Sequence, residues 1–178
     1  GWLEITPVTD EVIVTITGNH DTKVYNGSEQ SVTGYTVDVG NTDIQVTLKE
    51  GYAAEAKGTD VDVYHMGLKA DYFSASSNNY TNITVVVIDG YLEITPYTDE
   101  IVVTITGNTD TKVYNATEQS VEGYTTDVGD KTIDVALKDG VKAEAKGTDS
   151  DTYYMGLKEE SFTVSSRNYS NIEVVVVD

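Results

Sequence analysis

The residues best suited to chemistry are two short acidic motifs in which aspartates and a tyrosine alternate. The motifs are Asp60-x-Asp62-x-Tyr64 and Asp149-x-Asp151-x-Tyr153. Alternate carboxylates supply the hard oxygen ligands that calcium prefers, although the glycine and closing glutamate of an EF-hand loop are missing. Further acidic residues near the chain's midpoint and their counterparts give a second candidate calcium site. Its members are Asp10, Asp89, Asp99 and Glu100.

The two tyrosines of these motifs have a competing, structural interpretation. Tyr64 and Tyr153 each follow the Asp-x-Asp pair at the start of a short alternating segment. This spacing resembles a tyrosine corner, in which the hydroxyl hydrogen-bonds to backbone a few residues upstream. We therefore predict that both tyrosines stabilise the fold, with calcium binding by Asp60 and Asp62 as the alternative.

An internal repeat sets the organisation of the chain. When the 178 residues are shifted by 89, residues 1–89 align with residues 90–178 without a gap, and 60 of the 89 pairs are identical. Such self-similarity indicates one module used twice. We predict two domains, 1–89 and 90–178, with the same fold and the same number of strands.

Neither histidine belongs to this repeated design. His20 and His65 both lie in the first copy, and their counterparts are Thr109 and Tyr154. The chain has no cysteine, which excludes thiol nucleophiles, disulfides and cysteine-ligated zinc. No catalytic Ser/His/Asp order or phosphate-binding glycine loop occurs. We predict that the protein is not an enzyme and needs no cofactor other than calcium, if that binds.

The charge of the chain excludes two classes of partner. Thirty acidic residues face eleven basic ones, for a net charge of −19. Phosphate backbones and anionic membrane surfaces would be repelled. No apolar run is long enough to span a bilayer. We predict neither nucleic-acid binding nor membrane insertion.

Hydrophobic periodicity predicts an all-β chain. Residues 11–17 and 44–48 alternate apolar and polar side chains, as do their counterparts in the second copy. Residues 83–88 are apolar on both faces, which places them centrally in a sheet or beneath a neighbouring strand. Seven or eight short strands per copy favour an antiparallel sandwich or barrel. A single helical turn is expected near Phe73.

Three glycine positions bear on the connections. Gly34 interrupts the strand predicted for residues 31–39, which suggests a bulge. Gly27 is replaced by Ala116 in the second copy, so we expect no turn there that requires glycine. Asp89-Gly90 is either a hairpin turn or a kink in a strand that passes between modules. Residues 91–96 therefore either close the first module or open the second.

Three motifs that recur in order carry a family resemblance. They are KVYNGS at 23–28 with KVYNAT at 112–117, GTDVDVY at 58–64 with GTDSDTY at 147–153, and ITVVVIDGYLEITP at 83–96. Together they resemble the MBG-type immunoglobulin-like tandem repeats of Gram-positive bacterial surface proteins. The resemblance implies two immunoglobulin-like β-sandwich modules; β-grasp-like modules are the alternative.

The resemblance also implies where the protein works and with what. We expect a bacterial cell-surface or cell-wall location outside the cell, and a role as stalk or spacer in an adhesin-like protein. Neighbouring repeats of the same chain are the expected partners. The alternative is an adhesin module that itself binds a host protein or glycan, for which a concave patch around Tyr52, Tyr72 and Tyr97 would be the sign.

Overall fold

The protein is all-β in a computed structural model that describes residues 1–129 and 131–178. Apart from two three-residue 3-10 turns, Ala70–Tyr72 and Glu159–Ser161, the regular elements in these residues are strands. No helical segment in the described chain is long and apolar enough to cross a membrane. The chain divides into two compact units, Gly1–Thr95 and Pro96–Asp178. The boundary between the two units thus falls between residues 95 and 96 of the sequence, whereas the first sequence repeat ends at residue 89.

Unit 1 contains ten short strands. They are β1 (Val12–Gly18), β2 (His20–Val24), β3 (Gln30–Thr33), β4 (Tyr35–Asp38), β5 (Gln45–Leu48), β6 (Glu55–Gly58), β7 (Asp62–His65), β8 (Phe73–Ser76), β9 (Ile83–Ile88) and β10 (Tyr91–Thr95). Clean alternation of apolar residues marks β1 and β5, as predicted. The predicted helical turn is the 3-10 turn before Phe73, but the strand β8 that follows it was not predicted.

Two three-stranded sheets form the centre of unit 1. One has the order β4-β1-β9 and the other the order β2-β10-β7, and two antiparallel pairs, β3-β6 and β5-β8, accompany them. β1 pairs with β9 in parallel over six residues, and β10 pairs with β2 in parallel over five. The prediction of a purely antiparallel arrangement is therefore wrong. Alternation reveals which face of a strand is buried but not the direction of its partner.

β9 is not a central strand. It lies at the end of the order β4-β1-β9, and Val86 and Ile88 on its outer face are about half exposed. Val85 and Val87 on its inner face pack against the core. The apolar outer face misled the prediction, because β-branched residues are favoured in strands even where they face water.

Two apolar clusters fill unit 1. Ile16, Leu68 and Phe73 form the cluster under β1. Ala56, Leu92 and Ile94 form the cluster under β10. Met66 packs against both and joins them. Each inner sheet thus has its own set of buried side chains.

The chain passes from one sheet to the other at Gly34, where a bulge was predicted. Gly34 has a φ of +91° and separates β3, which pairs with β6, from β4, which pairs with β1. Asp89-Gly90 likewise separates β9 from β10, which lie in different sheets, so it is not a hairpin turn. Since β10 pairs only within unit 1, residues 91–95 complete the first unit.

Unit 2 repeats part of this plan with seven strands. They are β11 (Ile101–Gly107), β12 (Gln119–Glu122), β13 (Tyr124–Asp127), β14 (Asp134–Leu137), β15 (Glu144–Gly147), β16 (Phe162–Ser165) and β17 (Ile172–Val177). Their pairings reproduce those of β1, β3, β4, β5, β6, β8 and β9. No strands that correspond to β2 and β7 form among residues 96–129 and 131–178, and the positions that would correspond to β10 lie beyond residue 178. The prediction of equal strand numbers is wrong because β2 and β7 lack counterparts.

The turn at Gly27 and Ala116 does require a left-handed backbone. Gly27 has a φ of +79°, and Ala116, at the same place in unit 2, has a φ of +62°. The prediction that this turn does not require glycine is confirmed, since alanine adopts the same left-handed conformation. Asn26 and Asn115 hold the two turns alike, because each side-chain oxygen accepts the amide two residues on.

Candidate functional site

The slot that holds β10 is the part of unit 1 where side chains from three distant stretches of the sequence come together. In unit 1, β10 lies between β2 and β7, and Leu92 lies in register with Asp21 on one side and Tyr64 on the other. Leu92 and Ile94 point inward and are 0% and 1% exposed. The slot therefore takes a strand whose second and fourth residues are aliphatic.

Backbone and side-chain hydrogen bonds fix the register of β10. The amide of Tyr91 donates to the Asn19 carbonyl at 3.2 Å, and the amide of Tyr25 donates to the Thr95 carbonyl at 2.8 Å. The hydroxyl of Thr22 donates to the carboxylate of Glu93 at 3.1 Å. Contacts at both ends and at the middle of the strand set one alignment.

Two glycines let the chain cross at the mouth of the slot. A Cβ added to Gly18 would lie 2.4 Å from the Gly90 nitrogen, and one added to Gly90 would lie 2.4 Å from the Asn19 carbonyl oxygen. Real Cβ atoms do not approach backbone so closely, so both residues must be glycine for β1 and β9 to turn into β2 and β10 together. At Gly107, the counterpart of Gly18, the nearest atom would be 3.5 Å away, which is ordinary contact.

Unit 2 has the walls of the same slot. Lys112 donates to the Ser120 carbonyl at 2.5 Å, as Lys23 does to Ser31 at 2.8 Å. The Gln119 side chain donates to the Val113 carbonyl at 3.0 Å, the same length as in unit 1. The segments that correspond to β2 and β7 therefore keep their local contacts without forming strands.

In unit 2 a groove lies at the place that β10 occupies in unit 1, and the positions that would correspond to β10 lie beyond residue 178. The groove has a volume of about 340 Å³ and is lined by residues of both walls and of β12 and β15, among them Tyr114, Val121, Ala145 and Tyr153. Tyr114 and Tyr153, which line the groove, are 59% and 43% exposed.

The sequence that fills the slot also occurs outside any strand. Residues 2–6 read WLEIT, against YLEIT in β10. Leu3 and Ile5 are 85% and 84% exposed. The chain therefore contains one seated copy and one exposed copy of the same segment.

The tyrosines predicted as tyrosine corners lie in the walls of the two slots. The hydroxyl of Tyr64 donates to the Asp60 carbonyl at 3.0 Å, and that of Tyr153 donates to the Asp149 carbonyl at 3.3 Å. Each ring covers a glycine: a Cβ on Gly58 would lie 2.1 Å from the Tyr64 ring. The structural role of the hydroxyls stays a prediction for a stability measurement.

The predicted calcium ligands are dispersed over separate contacts. Asp89 accepts the amides of Gly67 at 3.0 Å and Leu68 at 2.8 Å, and Asp62 accepts the amide of its neighbour Val63. Asp10 and Glu100 are exposed. Among residues 1–129 and 131–178, no group of three or more metal-ligating side chains is placed to hold an ion. Calcium binding by Asp60, Asp62, Asp10, Asp89, Asp99 and Glu100 stays an untested prediction.

One of these carboxylates, that of Asp99, raises the pKa of a neighbouring tyrosine. The hydroxyl of Tyr97 donates to the carboxylate of Asp99 at 2.9 Å. This hydrogen bond and the negative charge of Asp99 raise the pKa of Tyr97. The direction follows because a phenolate would face the negative carboxylate and could no longer donate the hydrogen bond.

The structure brings the two histidines to either side of one ring. His20 stacks on Tyr91 with centroids 5.3 Å apart, and His65 lies at 6.3 Å on the opposite strand. Both are exposed, as expected for solvent-facing strand residues. His65 also lies 3.7 Å from the carboxylate of Asp89. The three rings lie at the start of β10. The two histidines are not repeated in unit 2, where Thr109 and Tyr154 take their positions.

Of the three tyrosines considered for a binding patch, two belong to unit 1 and one to unit 2. Tyr52 and Tyr72 stack on each other at 4.0 Å in unit 1. Tyr97 belongs to unit 2, where its ring meets the edge of Tyr169. One face of Tyr52 and of Tyr72 is covered by the other ring.

A second site present in one unit only is a carboxylate with two donors. Asp43 accepts the Ser77 hydroxyl at 2.7 Å and the Asn79 amide at 2.6 Å. These hydrogen bonds, that of Ser77 foremost, lower the pKa of Asp43. Its counterpart in unit 2 is Thr132, which carries no charge.

Sequence reasoning missed the residues that shape the slot. Asn19 lies close to three places where the chain changes from one sheet to another. Its side chain donates to the Thr33 carbonyl at 2.8 Å, and its amide donates to the Gly34 carbonyl. Asn108 repeats both contacts. The available signal was the Gly-Asn pair at the end of β1 in both copies, which reads only as a turn.

Comparison with known proteins adds no further assignment. No protein-family model matches the chain, and no curated protein or solved structure is significantly similar to it. The resemblance to MBG-type repeats therefore stays a prediction.

Proposed function

We propose that this chain is a non-catalytic tandem-repeat module of a bacterial cell-surface protein, where it serves as a load-bearing stalk or spacer outside the cell. The observation that carries the proposal is the parallel pairing of the first strand of each unit, β1 or β11, with a strand from the later part of the same unit, β9 or β17. β1 lies in register with β9 from Val12 beside Ile83 to Thr17 beside Ile88. β11 and β17 repeat this register in unit 2.

Parallel pairing suits a unit that transmits tension. Force applied along the chain enters unit 1 at Val12, the start of β1, and leaves it at Thr95, the end of β10, so the parallel ladder of β1 and β9 lies between the two loading points. The ladder is then loaded in shear, so its hydrogen bonds resist together. A hairpin pulled at its two ends opens one bond at a time. In unit 1, the parallel pair β2 and β10 adds a second ladder of the same kind.

The repeated contacts support a structural role over a binding role. The contacts present in both units hold backbone in place: those of Lys23, Tyr64 and Asp89 recur at Lys112, Tyr153 and Asp178. The side chains that would suit a ligand are not duplicated, since Tyr52 and Tyr72 correspond to Val141 and Ser161. A spacer needs only the contacts that hold the backbone to recur in each unit, and these are the contacts that do recur.

We also propose that each unit is an immunoglobulin-like sandwich. Two inner sheets, each with a buried face, and clusters joined through Met66 support a sandwich. A β-grasp fold packs a helix on its sheet, and the helical elements described here are two 3-10 turns.

Pulling unit 1 in two directions tests the mechanical role. The chain has no cysteine, so paired cysteines can serve as handles. Asp10→Cys with Ile88→Cys loads the β1–β9 ladder in shear, and Asp10→Cys with Asn82→Cys peels it from one end. We expect a higher rupture force for the first pair in single-molecule force spectroscopy. Equal forces from variants of equal thermal stability would contradict the stalk proposal.

The alternative function is an adhesin module that binds a host protein or glycan. The Tyr52–Tyr72 stack is the one observation in its favour, since an outer ring face can accept a sugar. Saturable binding of the purified chain to host cells or a glycan array, abolished by Tyr52→Ala, would decide for the adhesin. A stalk predicts no saturable binding.

A further inference from the structure

We propose that Asn26 is a site of spontaneous deamidation in the folded protein, where its side chain converts through a cyclic succinimide to aspartate and isoaspartate. The inference goes beyond the stalk role and does not depend on it. An asparagine followed by glycine occurs once in the sequence, at Asn26-Gly27. Three features of this turn carry the proposal: an exposed side-chain amide, a backbone nitrogen free to attack it, and a donor at the oxygen that becomes negative.

The reaction needs water as its only co-reactant. The Gly27 nitrogen loses its proton and bonds to Cγ of Asn26, the Cγ–Nδ2 bond breaks, and the side-chain nitrogen leaves as ammonia. Water then opens the succinimide ring. Opening at Cγ gives aspartate, whereas opening at the main-chain carbonyl gives isoaspartate, whose main chain runs through the former side chain. Either product adds one negative charge and about 1 Da to the chain.

The electrophile is the side-chain amide of Asn26, and its surroundings favour attack. Asn26, Gly27 and Ser28 are all exposed. Oδ1 of Asn26 accepts the amide of Ser28 at 2.9 Å, which folds the side chain along the main chain toward the peptide that follows it. Negative charge develops on Oδ1 during the attack, so the Ser28 amide stabilises the intermediate as an oxyanion-hole donor does.

The nucleophile is the Gly27 nitrogen, and the turn leaves it free to react. Within the part of the chain that the structure describes, the Gly27 amide makes no hydrogen bond. No atom lies within 4 Å of the place where a Cβ on Gly27 would be. Glycine also moves between backbone conformations more easily than any other residue. The peptide can therefore rotate into the geometry that the attack requires.

Unit 2 contains a near-copy of this turn without the glycine. Oδ1 of Asn115 accepts the amide of Thr117 at 3.0 Å and its hydroxyl at 2.7 Å. The electrophile in unit 2 is thus polarised by at least as many donors as in unit 1. Ala116 supplies the attacking nitrogen there, and its methyl group crowds the ring and restricts rotation. We therefore expect Asn115 to react much more slowly.

The contacts that bridge the turn in unit 1 do not involve the reacting residues. The Lys23 side chain donates to the Ser31 carbonyl at 2.8 Å, and the Gln30 side chain donates to the Val24 carbonyl at 3.0 Å. These contacts remain available after the ring has opened. Unit 1 should therefore tolerate the extra main-chain atom of isoaspartate, and the product should accumulate as folded protein.

The test follows both turns in one sample of the whole chain. The protein is incubated under native conditions, and peptides that contain Asn26 or Asn115 are then resolved by mass, with isoaspartate measured by enzymatic methylation. Asn26 should convert at least about 10-fold faster than Asn115, and isoaspartate should be among its products. The rate should rise from neutral to mildly alkaline pH, because the attacking nitrogen must lose its proton.

Two matched variants exchange the glycine and the alanine. Gly27→Ala should slow the conversion of Asn26 at least about 10-fold, and Ala116→Gly should accelerate that of Asn115 by a similar factor. Each variant is compared with the native residue in its own unit, so other differences between the units do not enter. Ala116→Gly relieves a left-handed alanine, so this arm of the test holds even if Gly27→Ala unfolds unit 1.

Urea distinguishes a reaction of the folded chain from one that passes through unfolded protein. Below the unfolding transition, the rate at Asn26 should hardly change, whereas a reaction of the unfolded chain accelerates as the unfolded population grows.

Four results would overturn the proposal. Asn26 could convert no faster than Asn115, or the exchange of glycine and alanine could leave both rates unchanged. Aspartate without isoaspartate would show direct hydrolysis of the side-chain amide with no ring. A rate that rises with urea in proportion to the unfolded fraction would place the reaction outside the folded state.

Discussion

At the scale of single residues, Ala116 is where unit 2 stores strain that unit 1 avoids. A left-handed backbone costs a residue with a Cβ about 1 kcal/mol or more. Glycine escapes this cost but loses more freedom on folding. The sequence alone could not place Ala116 in this conformation, because alanine is rare there and the asparagine before it is compatible with several turns.

Exchanging these residues between the units should have opposite effects. We expect Ala116→Gly to stabilise unit 2 by about 0.5–1 kcal/mol, and Gly27→Ala to destabilise unit 1 by a similar amount. Hydrogen exchange resolved along the chain would assign each change to its unit. A loss of protection in unit 2 with Ala116→Gly would contradict the account.

Asp43 gives unit 1 a dependence on acid that unit 2 lacks at this position. The hydrogen bonds from Ser77 and Asn79 lower its pKa in the folded state. A lowered folded pKa means that the carboxylate stabilises the fold above its unfolded pKa of about 3.9. This contribution is lost as the pH falls through that value toward the folded pKa.

A variant that cannot titrate isolates the effect. The stability difference between the native chain and Asp43→Asn should be largest near neutral pH and shrink below about pH 4. Carboxyl NMR titration should place the Asp43 midpoint below that of an unstructured aspartate. Thr132→Ala in unit 2 should produce no pH-dependent difference. A constant Asp43→Asn difference from pH 7 to pH 2 would refute the assignment.

At the scale of elements, the strands were readable but their partners were not. Period-two alternation located β1, β5 and their counterparts because one face of each is buried. It carried no information on direction or sheet membership, so the parallel pair β1–β9 and the change of sheet at Gly34 were missed. Both depend on contacts between residues far apart in sequence.

Because Gly18 and Gly90 cross at close range, one added methyl group should cost more stability at Gly18 in unit 1 than at Gly107 in unit 2. Gly18→Ala should destabilise unit 1 by about 1–3 kcal/mol, the usual cost of overpacking, because its Cβ meets backbone at 2.4 Å. Gly107→Ala should leave the stability of monomeric unit 2 nearly unchanged. Thermal unfolding at low concentration, with hydrogen exchange to assign each transition, measures both. Equal losses in the two variants would show that the crossing is not the cause.

At the scale of the whole molecule, the sequence repeat and the folded unit are out of phase. Self-comparison found the repeat boundary at residue 89, but the strand that completes unit 1 is residues 91–95. Pairwise identity locates where a pattern restarts; it does not locate where a fold closes. The slot was invisible for the same reason, since its walls and its occupant come from three distant stretches of sequence.

The position of β10 also sets an order of events on the ribosome. A nascent chain that has reached Asp89 contains every strand of the first unit except the one that lies between β2 and β7. The residues that finish the unit are the opening residues of the next repeat. Translation of each repeat thus releases its predecessor from an unfinished state, and domains generally fold from the amino terminus as they emerge. A pause in synthesis at the repeat boundary would leave the apolar slot open to chaperones.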